Sequence, residues 1–209
     1  MAPLRTPPGR TGHLWLRERL DVARRASDVL EEKARVLAAE ERRLRVLERR
    51  SRRDWEEAWD LASRWLLRST LLGGRRGLAV ARAHQAEEID VRIRWGSTMG
   101  ATYPTEAVCR PPAPPAAALF AGTSALRFAA SAHAEAATAA VRHAADRRAL
   151  EVVRRELSVA RRRQRAIERR WIPRLESALA RLELSLAEEE REDTVRATWV
   201  SERTGEGSR

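Results

Sequence analysis

Leu16-Arg17-Glu18-Arg19-Leu20-Asp21-Val22-Ala23-Arg24-Arg25-Ala26-Ser27-Asp28-Val29-Leu30-Glu31-Glu32-Lys33-Ala34-Arg35-Val36-Leu37 is the stretch whose spacing decides the fold. Steps of four and three connect Leu16, Leu20, Ala23, Ser27, Leu30, Ala34 and Leu37. An apolar repeat averaging 3.5 residues keeps one narrow seam facing a partner helix and predicts a left-handed supercoil. Leu44 and Leu47 continue the seam with a local slip of phase, and Ser51, Trp55, Ala58 and Ala62 follow. The helical pattern runs over 13–72, which at about 1.5 Å per residue is roughly 90 Å. A compact domain of this size does not hold such a helix.

Working outward, residues 1–12 carry three prolines and two glycines and read as an extension. Gly73-Gly74 supplies a helix stop, and residues 76–88 can form a short helix. Ile89, Val91, Ile93 and Trp95 then alternate with Asp90, Arg92 and Arg94, the period of a strand. Gly96-Ser97 and Gly100 offer turn chemistry, so a β-hairpin is expected over about 89–103, ended by Pro104. A proline-rich connection, 104–122, completes a middle segment over 73–123. A second seam follows at Leu150, Val153, Leu157, Ala160, Gln164, Ile167 and Trp171. Pro173 predicts a kink, and Leu175, Leu179, Leu182 and Leu186 resume. The second long helix covers 124–197, before a tail over 198–209. Each helix is too polar to stand alone, and the two stripes most economically bury each other. The expected fold is mainly α: a long antiparallel two-helix left-handed coiled coil, with a short helix and a small β-hairpin between its arms.

Composition agrees. Charged residues make up 34% of the 209, aromatic ones only 5%, a mixture of long helices rather than a thick core. The net charge of +11 points first to an acidic partner. Yet pairs such as Asp21/Arg25, Glu31/Arg35, Glu41/Arg45 and Glu151/Arg155 sit four apart, acid first, as on a solvated helix surface. Lys33 is the single lysine among 41 basic residues. Cys109 is the sole cysteine, which excludes an intrachain disulfide and suggests a reducing, cytoplasmic setting. No stretch reads as a signal peptide or a membrane span.

Candidate chemistry is thin. Gly73-Gly74-Arg75-Arg76-Gly77 lacks the ending and the preceding strand of a phosphate loop. His84, Glu87 and Glu88 share a helical turn without a second histidine at metal spacing, and His13, His133 and His143 are isolated. Cys109, among prolines, reads as a solvent-facing thiol. Gln164 sits at a seam position, where a polar group can fix register. Trp55 and Trp59 lie one turn apart, packing a wide seam or offering a patch to another protein. No nucleophile, base and pocket come together, so no catalysis, no cofactor and no metal are expected.

Several motifs in order carry a family resemblance. Leu20-Asp21-Val22-Ala23-Arg24-Arg25 through Leu30-Glu31-Glu32-Lys33 resembles the first helix of the D subunit of V-type (A/V-type) rotary ATPases, with Lys33 on the family's lysine. Pro8-Gly9-Arg10 stands at the family's Pro-Thr-Lys/Arg opening. Met99-Gly100-Ala101-Thr102-Tyr103-Pro104 is similar to the family's Met-Gly-Val-x-Val-Pro. Arg162-Arg163, Ala166-Ile167-Glu168, Ile172-Pro173-Arg174-Leu175 and Glu190-Arg191-Glu192-Asp193 follow its second helix. Ser97, Arg165 and Thr194-Val195 depart from the pattern. The resemblance implies a non-catalytic central rotor shaft of a V-type proton-translocating ATPase/ATP synthase, cytoplasmic and peripheral to the membrane. Its implied partners are the catalytic A and non-catalytic B subunits, the F subunit of the stalk and a membrane-ring coupling subunit, with no nucleic acid and no membrane insertion. The residues it implies for partner contact are Trp95, Met99, Gly100, Tyr103, Pro104, Arg162, Arg163, Pro173 and Arg174. The alternative from another class is a basic coiled-coil protein that binds nucleic acid or scaffolds other proteins.

Overall fold

The structure is a computed structural model describing residues 6–83, 88–112 and 123–206. In chain order its elements are α1 (Gly9–Ala83), β1 (Asp90–Thr98), β2 (Ala101–Arg110), α2 (Ser124–Ala166), a π-helical turn (Ile167–Trp171) and α3 (Ile172–Glu206). The chain divides into two compact units, Met1–Ala34 with Val159–Arg209, and Arg35–Ser158.

In the first unit the N-terminal part of α1 runs antiparallel to the C-terminal helices. Leu16, Leu20, Ala23, Leu175 and Ala178 are buried together, with Trp15, Ile167, Ile172, Leu179 and Leu182 packed around them. Polar pairs flank this core in descending order: Ser27 with Glu168, Arg24 with Glu176, His13 with Glu183 and Arg10 with Glu190. The histidine read as isolated thus has a partner, His13 Nε2 lying 2.9 Å from Glu183 Oε1. α1 begins at Gly9 rather than His13. Gly12 is needed there, because a Cβ would sit 2.0 Å from the Pro7 carbonyl oxygen.

In the second unit the rest of α1 packs antiparallel on α2. Glu41 meets Arg154, Trp55 stacks on His143 with ring centroids 5.5 Å apart, and Trp65 stacks on Phe128 at 4.8 Å. Trp59 puts its edge against His133 at 6.1 Å. Both α2 histidines therefore face tryptophans of α1; Trp55 stacks against the neighbouring helix, whereas Trp59 touches it by an edge and remains 52% exposed. Ala62, Ala132 and Ala136 form a small buried cluster, where short side chains let the backbones approach.

The seam of α1 does not slip. Leu37, Glu41, Leu44, Ser51, Ala62 and Ser69 are buried, all on one uninterrupted alternation of three and four. The break expected near Leu44 came from passing over a charged residue. Glu41 is 7% exposed and occupies the seam because Arg45 and Arg154 both donate to its Oε1. A buried carboxylate needs such partners.

At the glycine pair the long helix stops, and the span labelled α1 is two helices joined across a kink. Gly74 takes φ 65°, ψ 178°, and helix resumes to Ala83, within the span expected for a short helix. His84, Glu87 and the proline-rich stretch from residue 113 onward lie outside the described residues.

The hairpin is longer than its sequence signal, ending at Arg110 rather than Pro104. Its turn is Met99-Gly100, with φ 50° and 80°, as a two-residue loop matching the strand twist requires. Thr98 pairs with Ala101 around it, and Gly96-Ser97 remain in β1. Pro104 does not stop β2, because the register shifts between Arg94 and Trp95: Trp95 opposes Pro104, Arg94 opposes Glu106, and Thr105 is the extra residue. A bulge is where a strand tolerates proline. Gly96 leaves room for it, since a Cβ there would lie 2.5 Å from Thr105 Cγ2. Cys109, expected in a solvent-facing loop, is instead buried in β2 opposite Val91. α3 also exceeds its expected end at residue 197, continuing to Glu206.

Candidate functional site

Two surfaces gather the residues singled out for partner contact, one in each unit. In the second unit the hairpin turns part of one face inward. Ala101 and Tyr103 are buried, and the Tyr103 hydroxyl donates to Glu40 Oε1 at 2.9 Å while accepting from Thr98 Oγ1 at 2.9 Å. Arg43 donates to both oxygens of the same carboxylate. The Arg43 hydrogen bonds hold the Glu40 carboxyl below the usual carboxylate range against the opposing effect of burial, with Tyr103 adding to the lowering. Tyr103 and Pro104 are both buried, and Tyr103 clamps the hairpin to α1. The alternation of β2 placed its ring on one face without saying which face lay inside. Tyr103→Phe should lower stability by about 1.5 kcal/mol, the scale of one hydrogen bond to a charged group. A denaturant titration checks this, and an unchanged midpoint would show that the hydroxyl does not hold the hairpin.

The apolar row of β1 faces outward. Val91, Ile93 and Trp95 are 42%, 48% and 58% exposed, with Met99 at the tip 44% exposed. The arginines between them are tied down, Arg92 to Asp90 and Arg94 to Glu106, both at 3.0 Å. Trp95, Met99 and Gly100 thus lie on an open surface of the hairpin, as a partner contact requires.

In the first unit the irregularity lies where proline signalled it, in a different form. The Ile172 backbone N–H bonds the Ile167 carbonyl, one residue further back than in an α-helix. Pro173 has no N–H for the Arg169 carbonyl, and the chain widens into a π turn just before it. The turn adds one residue to the seam, so Ile172 takes the inward place expected for Trp171. Trp171 is 39% exposed, with the Arg174 guanidinium 6.0 Å from its ring centroid. Arg162, Arg163 and Pro173 are exposed beside it. Gln164, expected to fix register, donates within its own helix to Glu168 Oε1, and it is Glu168 that meets the other helix by accepting from Ser27 Oγ.

The family model for the D subunit of ATP synthase matches residues 13–202. That span takes in both helical arms and the hairpin between them. The chain belongs to the ATP synthase D-subunit family. No curated protein sequence matches it. As a member of the D-subunit family it is a stalk component of a rotary ATPase, part of a larger complex. Among the described residues, no helix is long and apolar enough to cross a membrane.

Two features of this D-subunit chain do not follow from its apolar spacing alone. One is Glu41 in the seam, a position that an unbroken alternation of three and four through charged residues reaches, although its partner Arg154 stands beside the seam residue Val153. The other is the outward turn of Trp171. Its signal is arithmetic: Ile167 to Leu175 is eight residues, where the alternating repeat needs about seven.

Proposed function

We propose that this D-subunit chain is the central rotor shaft of a V-type ATPase/ATP synthase. It would couple ATP synthesis or hydrolysis in a ring of A and B subunits to rotation and ion transport. The family match over 13–202 carries this reading. Within each unit, two antiparallel helices pack along one seam, which suits a part that transmits torque. An asymmetric shaft biases each catalytic interface toward a different nucleotide state by contacting it differently. The outward row Val91, Ile93 and Trp95, with Met99 and Gly100, is the surface we assign to the F subunit of the stalk and the membrane-ring coupling subunit.

Affinity capture of the tagged full chain from its native cell tests this, with partners identified by mass. The rotor reading expects A, B and F subunits in the eluate. Nucleic acid with neither A nor B would replace it with a basic coiled-coil binder, whose affinity falls steeply with salt.

A further inference from the structure

The hairpin satisfies itself. Its strands pair from Asp90 with Arg110 to Thr98 with Ala101. Its ion pairs are internal, Arg92 with Asp90 and Arg94 with Glu106, and Thr105 Oγ1 donates to the Arg94 carbonyl. The inward face is small: Ala101, Tyr103, Pro104 and Cys109 are buried, and none of them is a large aliphatic side chain. Among the described residues, one side-chain hydrogen bond and no ion pair joins the hairpin to the helices, that of Tyr103 to Glu40.

That single bond is one that opens and recloses at little cost. On separation the Tyr103 hydroxyl keeps Thr98 Oγ1 as its partner. The Glu40 carboxylate keeps Arg43, which donates to both its oxygens. Neither end is orphaned, and an orphaned polar group is the main cost of breaking a buried hydrogen bond. The seam pair Glu41–Arg154 differs, since it lies between the helices and cannot part unless the coil does. An element with few buried apolar contacts opens locally, at a free energy below that of global unfolding.

We propose that the hairpin, residues 90–110, is a detachable arm that leaves α1 as an intact unit, with the Tyr103 hydroxyl and the Glu40 carboxylate as its latch. The outward row Val91, Ile93, Trp95 and Met99 travels with the arm. A protein bound to that row is therefore held on a pivot rather than on a fixed ledge of the coil. The rotor reading supplies only the identity of that protein; the latch itself does not depend on it.

Cys109 is the sole cysteine and is buried on β2, so its thiol reports the docked state. The full chain is exposed to dithiobis(nitrobenzoate) in native buffer, and the labelling rate is read by absorbance. Opening of the arm alone predicts a rate nearly independent of denaturant below the unfolding transition, because little surface is exposed. Tyr103→Phe should raise that rate about tenfold, the factor equivalent to one hydrogen bond to a charged group. Leu150→Ala, which opens a cavity at a buried seam position of the same unit, should lower Tm and leave the rate unchanged. Amides of the β1–β2 ladder should show more protection from hydrogen exchange than Cys109 shows from labelling. A rate that climbs with denaturant as steeply as global unfolding, or that rises alike in Leu150→Ala and Tyr103→Phe, would overturn the arm by making the hairpin part of the coil's cooperative unit. Ladder amides exchanging as readily as Cys109 reacts would show that the strands separate instead, which also sinks it. An unchanged rate in Tyr103→Phe would overturn the latch. Capture of A and B by the wild-type chain is scored separately, and its failure overturns the rotor reading while leaving the arm standing.

Discussion

Leu175→Ala is expected to destabilise the protein by about 3 kcal/mol, within the range for truncating a fully buried leucine. For a chain of this length that corresponds to a thermal midpoint lower by roughly 6–12 °C. Leu175 is 0% exposed and sits with Leu16, Leu20, Ala23 and Ala178. It is also the second seam residue after the π turn, so its burial depends on the turn having moved the seam by one position. A seam only one side chain wide has no second layer to close over the resulting cavity. Leu184→Ala is the control, since Leu184 lies on the same helix and is 70% exposed. Its midpoint should move by less than about 2 °C, in line with surface substitutions. Equal shifts for the two would place the core of this unit elsewhere.

Glu41→Ala is the second large effect, at about 2 kcal/mol, toward the lower end for removing one member of a buried charge pair. The lower figure follows from its partners: the Arg154 and Arg45 side chains are 50% and 45% exposed and can be rehydrated. Glu41→Leu should recover most of the loss, because the position belongs to an apolar seam and carries only one inward carboxylate. A leucine variant as unstable as the alanine one would show that the charge pair itself holds the helices together. The pH dependence has a defined sign. Burial alone would raise the Glu41 carboxyl, but hydrogen bonds from Arg154 and Arg45 outweigh it and the net shift is downward. Glu40 is also lowered, chiefly by Arg43. A carboxylate lowered by folding contributes its full stability above its unfolded value, and that contribution disappears as pH falls through the folded one. Stability should therefore decline as pH drops below the ordinary carboxylate range. Glu41→Gln should flatten that decline, as thermal melts across an acid series would show.

Much of the fold was legible in residue spacing. The run Leu16 to Leu37 announced a seam, the alternation Val91, Ile93, Trp95 announced a strand, and Gly74 and Pro173 marked both helical irregularities. Misreadings arose where a residue type carries a default expectation. Glu41 interrupts the apolar spacing because charged residues are rarely buried, and Pro104 reads as a stop because prolines leave strands. Cys109 inherited the loop drawn after Pro104. In each case a partner set elsewhere in the chain overrode the default: two arginines, a bulge in register, and β1.

The partner surfaces were less legible. Sequence motifs grouped Trp95, Met99, Gly100, Tyr103 and Pro104 as one contact region, but alternation cannot say which face of a hairpin is covered. Tyr103 is covered because Glu40 and Arg43, some sixty residues earlier, lie beneath it. Trp95 is open because, among the described residues, nothing comparable lies over β1.

By itself the sequence determined that two long helices each carry one narrow apolar stripe and that a hairpin separates them. Periodicity is a local property, and every residue in it can be counted. Only the tertiary structure decided that Glu41 keeps the α1 seam in phase, that Tyr103 faces inward, and that one extra residue before Pro173 becomes a π turn exposing Trp171. Each of these depends on which distant side chain supplies a hydrogen bond or excludes water, and that pairing appears only once the helices are packed.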